Sequence, residues 1–130
     1  MSQIIITDHS GRRGALVPLL KGVYAIIADN ARRRKTMGAT PPENFITWQH
    51  KMKPRLVDVN WRFITAVDDA TLVGVFFYRH GGANVYIEEM QVAYTHHGNL
   101  QVIEGFLKKL EFDKAAMDAT FYANDRMQLE

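Results

Sequence analysis

The stretch from Trp61 to Val92, WRFITAVDDATLVGVFFYRHGGANVYIEEMQV, decides the fold of this chain. Apolar and aromatic residues dominate 61–67 and again 71–78, and the acidic segment 68–70 separates these two runs. Two such runs around a short turn are typical of a β-hairpin. Gly81 and Gly82 then turn the chain into a third run, 84–93. The sequence therefore predicts an antiparallel meander of three strands.

Helical periodicity flanks this meander on both sides. Between Arg12 and Ala28 the apolar residues recur at intervals of three and four, which predicts a helix that begins at or kinks near Pro18. A second helix is predicted at about Pro41 to Met52, with Thr40 as its N-cap and Pro54 at its end. A third set of apolar residues at helical spacing consists of Leu100, Ile103, Phe106, Leu107 and Leu110.

Further strands are expected near the two ends of the sequence. Ile4-Ile5-Ile6 fits a first strand, and 118–123 resembles a strand that follows the third helix. The segment 124–130 could cap and open another helix. Helices before and after a meander give an α+β fold, and 130 residues fit one domain around one hydrophobic core.

The composition excludes several classes of protein. Hydrophobic residues make up 47% and charged residues 23%, which is typical of a globular chain. The chain has no cysteine, so disulfides, thiolate zinc sites and cysteine nucleophiles are excluded. Residues 1–8 lack the pattern of a signal peptide, and no apolar run approaches the roughly 20 residues of a membrane span. These features predict a cytoplasmic location and no membrane.

The small net charge of +2 conceals an asymmetry between the two halves of the chain. Residues 1–66 hold 11 Lys and Arg against 4 Asp and Glu, whereas 67–130 hold 5 against 10. The basic half could meet nucleic acid or an anionic cofactor. No aromatic residues are interleaved with the basic ones as a stacking surface requires, so nucleic acid is not the favoured partner.

Two of the predicted strands resemble those of one known family. Leu72-Val73-Gly74-Val75 is similar to the third strand of the GCN5-related N-acetyltransferases, and 85–92, VYIEEMQV, is similar to their fourth. The resemblance covers most of the chain. It implies a mixed, largely antiparallel central sheet with helices on both faces, formed by residues 1–130 as a single domain.

The resemblance also concerns the end of the sequence. The family continues from this point through a fourth helix and two more strands, which this sequence lacks. An open sheet edge invites pairing. The resemblance therefore raises the expectation of a homodimer through that edge, or of a chain that is a fragment.

In that family, backbone N–H groups of a loop hold the pyrophosphate of acyl-CoA at the start of the third helix, which is a natural anion site. The loop reads Arg/Gln-x-x-Gly-x-Gly/Ala, and the matching residues here are 97–102, HGNLQV. Leu100 and Val102 stand where the family has glycine or a small residue, so the motif is degenerate. The resemblance implies acetyl-CoA as the cosubstrate, bound by Gln91, Val92, His97, Gly98, Asn99, Leu100 and Asn124.

Candidate catalytic residues follow from the same resemblance. Glu88 and Glu89 lie on the strand where many members place the general base that removes a proton from an amine. Strict alternation along the strand would let only one of them face the site, and burial would raise its pKa toward the working pH. The alternative is a solvated carboxylate beside another that pairs with the basic half.

Other polar clusters allow a simpler interpretation. The neighbouring histidines His96 and His97 lack the ligand spacing of a metal site, so no metal is predicted. The run 32–35, RRRK, could contact an acidic substrate or a phosphate of the cosubstrate, or be a solvated loop. The sequence thus predicts an N-acetyltransferase that acts on a small amine or a protein amine. The alternative is a non-catalytic binding or interaction domain that has lost the cosubstrate motif.

Overall fold

A five-stranded sheet forms the centre of the computed structural model, which describes residues 3–10, 13–34, 43–81, 84–117 and 120–123. The strands are β1 (Ile4–Asp8), β2 (Trp61–Asp68), β3 (Thr71–Gly81), β4 (Asn84–Val92) and β5 (Thr120–Ala123). They lie side by side in chain order. Neighbours from β1 to β4 are antiparallel, whereas β5 runs parallel to β4. The predicted mixed, largely antiparallel sheet is confirmed.

Helices cover both faces of this sheet. The helices are α1 (Leu20–Arg34), α2 (Phe45–Leu56) and α3 (Leu100–Met117), and a 3-10 helix at Arg13–Leu19 leads into α1. On one face, here called the α1/α2 face, buried residues of α1 and α2 pack on odd-numbered residues of β2 and β3, such as Phe63 and Phe77. On the other, the α3 face, α3 packs on Ile64, Phe76 and Met90. The α+β architecture is thus confirmed.

The predicted hairpin, formed by β2 and β3, is present. Asp69 and Ala70 form its two-residue turn, and both have positive φ, +47° and +71°. Positive φ at both positions matches the right-handed twist of the flanking strands. On the α3 face the backbone of Gly74 lies against Val102 and Phe106, so that an added Cβ would come within 2.9 Å of the valine. A glycine here lets α3 approach the sheet closely.

The first predicted helix differs from the observed one at both ends. Pro18 lies inside the 3-10 helix, and the regular α-helix begins only at Leu20. At the other end α1 continues to Arg34, so most of the predicted loop 32–35 is helical instead. No glycine or proline interrupts 28–34, and cations suit the carboxyl end of a helix because they complement its dipole.

The second helix begins and ends later than predicted. Its N-cap is Asn44, whose Oδ1 accepts the Thr47 N–H at 2.8 Å. The predicted cap Thr40 and the start at Pro41 lie outside the described residues. Pro54 does not end the helix, which continues to Leu56. A proline this close to the carboxyl end removes only the last-turn hydrogen bond that its own N–H would make.

Candidate functional site

The two predicted catalytic carboxylates lie at an irregularity in β4. Pairing with β3 shifts by one residue between Phe77↔Glu89 and Tyr78↔Ile87, which leaves Glu88 as an extra residue in β4. Such an insertion is a β-bulge. Ile87 and Met90 both belong to the core on the α3 face, so Glu88 and Glu89 are both turned away from that core. The expectation that alternation separates them was wrong, because the bulge interrupts the alternation.

Glu88 forms an ion pair with Arg79 of β3. Its Oε1 accepts a hydrogen bond from Nε of Arg79 at 2.7 Å, and the side chains are 18% and 38% exposed. The Arg79 guanidinium also lies 4.2 Å from the ring centroid of Tyr86. The ion pair with Arg79, whose guanidinium packs on Tyr86, therefore holds Glu88 in a partly exposed, charge-compensated position.

Glu89 instead belongs to a chain of buried hydrogen bonds. Its Oε1 accepts from Gln91 Nε2 at 3.0 Å, and Gln91 Oε1 accepts from Asn30 Nδ2 at 2.9 Å. The three residues are 6%, 0% and 2% exposed, respectively. Asn30 comes from α1, 61 residues before Gln91, so this polar chain joins β4 to the helix that covers it. The described structure thus gives the two carboxylates different surroundings.

The end of β4 is bonded to both α1 and the loop that follows. The Ala93 N–H donates to Val73 O at 2.8 Å. In an antiparallel ladder neighbouring residues point alternately toward and away from the partner strand, so the main chain of Val92 points away from β3. Its carbonyl accepts from Asn30 Nδ2 and from His97 Nε2, each at 2.9 Å. Because the side chain of Gln91 is wholly buried, a ligand could reach only its backbone.

The loop between β4 and α3 has the geometry of a helix start. A 3-10 turn, Tyr94–His96, leads to Gly98, whose φ is +81°. Asn99 Oδ1 accepts the Gln101 N–H at 2.9 Å, so the Asn99 side chain caps the start of α3. The N–H groups of Gly98 and Leu100 have no acceptor among the residues described. Unpaired N–H groups at a helix start are suited to bind an anion.

Leu100 and Val102, which are predicted from the sequence to depart from the loop motif of the similar family, lie in different environments. Leu100 is 65% exposed, and Val102 is fully buried in the core on the α3 face. Val102 therefore packs beneath the helix, on the sheet, and the amide groups at the helix start belong to the residues before it. The departure at position 102 is explained by core packing against Gly74.

Charged side chains surround this loop. The Arg33 guanidinium lies 3.6 Å from the ring centroid of Tyr94 and bonds to Asp29 one turn earlier in α1, at 2.9 Å. On the opposite side, His96 Nε2 lies 2.7 Å from Asp68 Oδ2, next to the β2–β3 turn. An arginine of α1 and an aspartate next to the β2–β3 turn thus both contact side chains of the loop.

The described structure joins four of the predicted site residues by hydrogen bonds and adds a residue that sequence reasoning missed. Glu89, Gln91 and Val92 are linked through Asn30, which the sequence did not single out, and His97 joins them through Val92 O. Asn30 lies seven residues after the buried Val23 on the same stripe of α1, so a polar residue at a core position was the available indication. Asn124 lies outside the described residues. The described part of β5 pairs with 84–87 of β4, before the bulge.

Two other classes of site were searched in the described residues. No group of three or more His, Asp or Glu side chains is arranged there to hold a metal ion. None of the helices in the described ranges is both long and apolar enough to cross a membrane.

Comparison with known proteins identifies the fold of the chain. No family model and no curated protein sequence matches the chain. Solved structures do match over nearly the whole chain. An aminoglycoside antibiotic 6'-N-acetyltransferase from Acinetobacter baumannii has a TM-score of 0.63 at 10% identity, covering 95% of this chain and 79% of its own. A predicted acetyltransferase with acetyl-CoA from Clostridium acetobutylicum has a TM-score of 0.61 at 14% identity, covering 97% and 82%.

A third similar structure is named as a regulator and not as an acetyltransferase. A transcriptional regulator from Bacillus halodurans C-125 has a TM-score of 0.68 at 13% identity, and the match covers 98% of this chain and 83% of that one. Together these neighbours show that the chain has the fold of the GCN5-related N-acetyltransferases. Likeness at such low identity defines the fold and leaves the activity open.

Proposed function

We propose that this chain transfers an acetyl group from acetyl-CoA to an amine. The observation that supports this most is the buried Glu89 at the bulge of β4, joined by hydrogen bonds to Val92 and His97 at the start of the cosubstrate loop. A carboxylate and a helix start with unpaired N–H groups are the two groups the reaction needs. In this chain the carboxylate lies on β4, and the N–H groups lie in the loop between β4 and α3.

In the proposed reaction the N–H groups of Gly98 and Leu100 bind the pyrophosphate of acetyl-CoA, and the nearby Arg33 adds positive charge. The amine nitrogen attacks the thioester carbonyl carbon, and the carbon–sulfur bond breaks. Glu89 accepts the proton of the amine, directly or through a water molecule, and the CoA thiolate leaves and is protonated. Glu88 keeps its pairing with Arg79 beside this path.

The test is calorimetric titration of acetyl-CoA into the full chain. We expect saturable binding that Gly98→Pro weakens, with circular dichroism showing that the variant is folded. An acceptor screen of small amines and peptides, read by release of the CoA thiol, then follows. No heat at high ligand concentration from folded protein would overturn the proposal.

A second candidate function is a non-catalytic binding module on the same fold. Two observations favour it: the loop lacks the family's glycine at Leu100 and its small residue at Val102, and one similar structure is a transcriptional regulator. This candidate predicts a folded chain that neither binds acetyl-CoA nor releases thiol. The titration above therefore distinguishes the two.

A further inference from the structure

The buried hydrogen bonds from Asn30 through Gln91 to Glu89 have a fixed direction. Asn30 Nδ2 donates to Gln91 Oε1, and Gln91 Nε2 donates to Glu89 Oε1. We propose that Asn30 is a positioning residue for the acetyl transfer, acting through Gln91 on the carboxylate of Glu89. The inference rests on the proposed function, because it assigns Glu89 the role of the base.

The direction follows from what each group can donate. A carboxylate only accepts hydrogen bonds, so Glu89 needs an N–H from its neighbour. The Gln91 amide has one donor end and one acceptor end, so turning Nε2 toward Glu89 turns Oε1 toward α1. There Asn30 Nδ2 donates to Oε1. Without Asn30, Gln91 would lose this bond, and its amide would be held less firmly against the carboxylate.

Asn30 lies on a buried stripe of α1 that is otherwise apolar. It continues the line of Leu20 and Val23, which pack in the core of the α1/α2 face. Although Asn30 is 2% exposed, its Oδ1 has no hydrogen-bond partner in the described structure. A buried acceptor left unpaired is unfavourable, so packing alone does not account for an asparagine here. The two hydrogen bonds that Asn30 Nδ2 donates, to Gln91 Oε1 and Val92 O, account for the asparagine.

A second contact makes the effect on catalysis separable from the effect on cosubstrate binding. Asn30 Nδ2 also donates to Val92 O, which His97 Nε2 holds independently at 2.9 Å. If Asn30 is removed, His97 still ties the loop to the end of β4. Loss of Asn30 should therefore disturb Glu89 more than the loop that binds acetyl-CoA.

The experiment is a double-mutant cycle on the full chain, with the acceptor found in the screen. Asn30→Leu and Gln91→Met remove the amides while keeping similar shapes. We expect each to lower kcat about 10- to 100-fold, as small displacements of a reacting group do, with acetyl-CoA affinity changed less than about twofold. The double variant should be no slower than the slower single variant, since both changes break one chain.

Controls separate this role from a general loss of stability. Met52→Ala, which leaves a cavity in the core of the α1/α2 face, serves as a destabilised variant and should leave kcat unchanged at a temperature where it is folded. Side-chain amide resonances report the chain without any activity: hydrogen exchange of the Gln91 NH2 group, which donates to Glu89, should become faster in Asn30→Leu, because the amide is held less firmly.

The outcomes distinguish the two proposals. A wild-type chain that binds no acetyl-CoA and transfers no acetyl group would overturn the proposed function, and the role of Asn30 with it. An active wild type whose kcat is unchanged by Asn30→Leu, or whose two single effects multiply in the double variant, would overturn the Asn30 role alone.

Discussion

Val102 packs so closely on Gly74 that a Cβ at position 74 would stand 2.9 Å from its Cγ1 and 3.0 Å from Cζ of Phe106. Both neighbours are fully buried and lack room to move. We predict that Gly74→Ala lowers the free energy of unfolding by about 1–3 kcal/mol, as overpacking does. Urea denaturation measures it.

Two variants test the cause of that loss. Gly14→Ala is the matched control, because an added Cβ meets nothing within 4 Å there and no positive φ is involved. It should be close to neutral. Val102→Ala should relieve part of the clash, so Gly74→Ala should cost less in that background. Equal cost in both backgrounds would show that Val102 is not the obstacle.

The backbone of Gly98 allows a different test of strain. Its φ of +81° is unfavourable for residues with a Cβ, although open space surrounds the position. Gly98→Ala should therefore destabilise the protein by about 1–2 kcal/mol through backbone conformation alone. Gly98→Asn should cost less, because asparagine tolerates positive φ better than alanine. Thermal unfolding of the two variants checks the order, and an equal loss would contradict this explanation.

Stability should depend on pH through His9. Its Nε2 lies 2.8 Å from Thr65 Oγ1 in the interior, and burial lowers its pKa, although the nearby Asp8 charge acts in the opposite direction. The unfolded chain therefore binds a proton more readily than the folded one. The stabilisation is complete above about pH 6.5, decreases as the pH falls toward the lowered pKa, and is constant below it.

The variant His9→Gln isolates this contribution from those of the other histidines. The difference in unfolding free energy between wild type and His9→Gln should shrink as the pH falls from about 7.5 to 5, at a limit of about 1.4 kcal/mol per pH unit. Urea denaturation at several pH values gives the curve. A difference that grows toward acid pH would show that the pKa is raised instead.

The two carboxylates at the bulge should differ in their effect on turnover. Glu89→Gln keeps the size of the side chain and removes the base, so kcat should fall about 100-fold or more with acetyl-CoA affinity unchanged. Glu88→Gln removes only a partly exposed ion pair with Arg79 and should lower kcat less than about tenfold. The reverse order would assign the base to Glu88.

Association through a sheet edge remains a prediction. In the described part of the sheet, β1 and β5 are the outer strands, and outer strands present unpaired backbone groups. We expect a homodimer whose fraction rises with concentration in sedimentation velocity experiments. A monomer mass across a wide concentration range would contradict it.

Local sequence pattern predicted the elements of this fold well. The three apolar runs between Trp61 and Val92, separated by turns, correctly predicted three strands in order. The helical spacing of apolar residues from Leu100 to Leu110 correctly predicted α3. Boundaries were less accurate where two local preferences compete. Pro41 and Pro42 favoured an early start of α2, whereas in the structure Asn44 caps the helix.

Long-range geometry accounts for what the sequence did not predict. The bulge at Glu88 is a relation between β4 and β3, and a single strand read alone gives no sign of it. The role of Asn30 likewise depends on partners 61 and 62 residues away. Candidate residues on one strand or loop could be named from sequence, whereas the bonds that organise them could not.

The bulge in β4 also bears on how this protein can change over evolution. A chain without Glu88 would still place Ile87 and Met90 against α3, and Glu89 and Gln91 toward α1, because regular alternation assigns them to those faces. Position 88 is thus an insertion that the interior does not need. Selection can alter the residue there, or delete it, while the packing beneath stays intact.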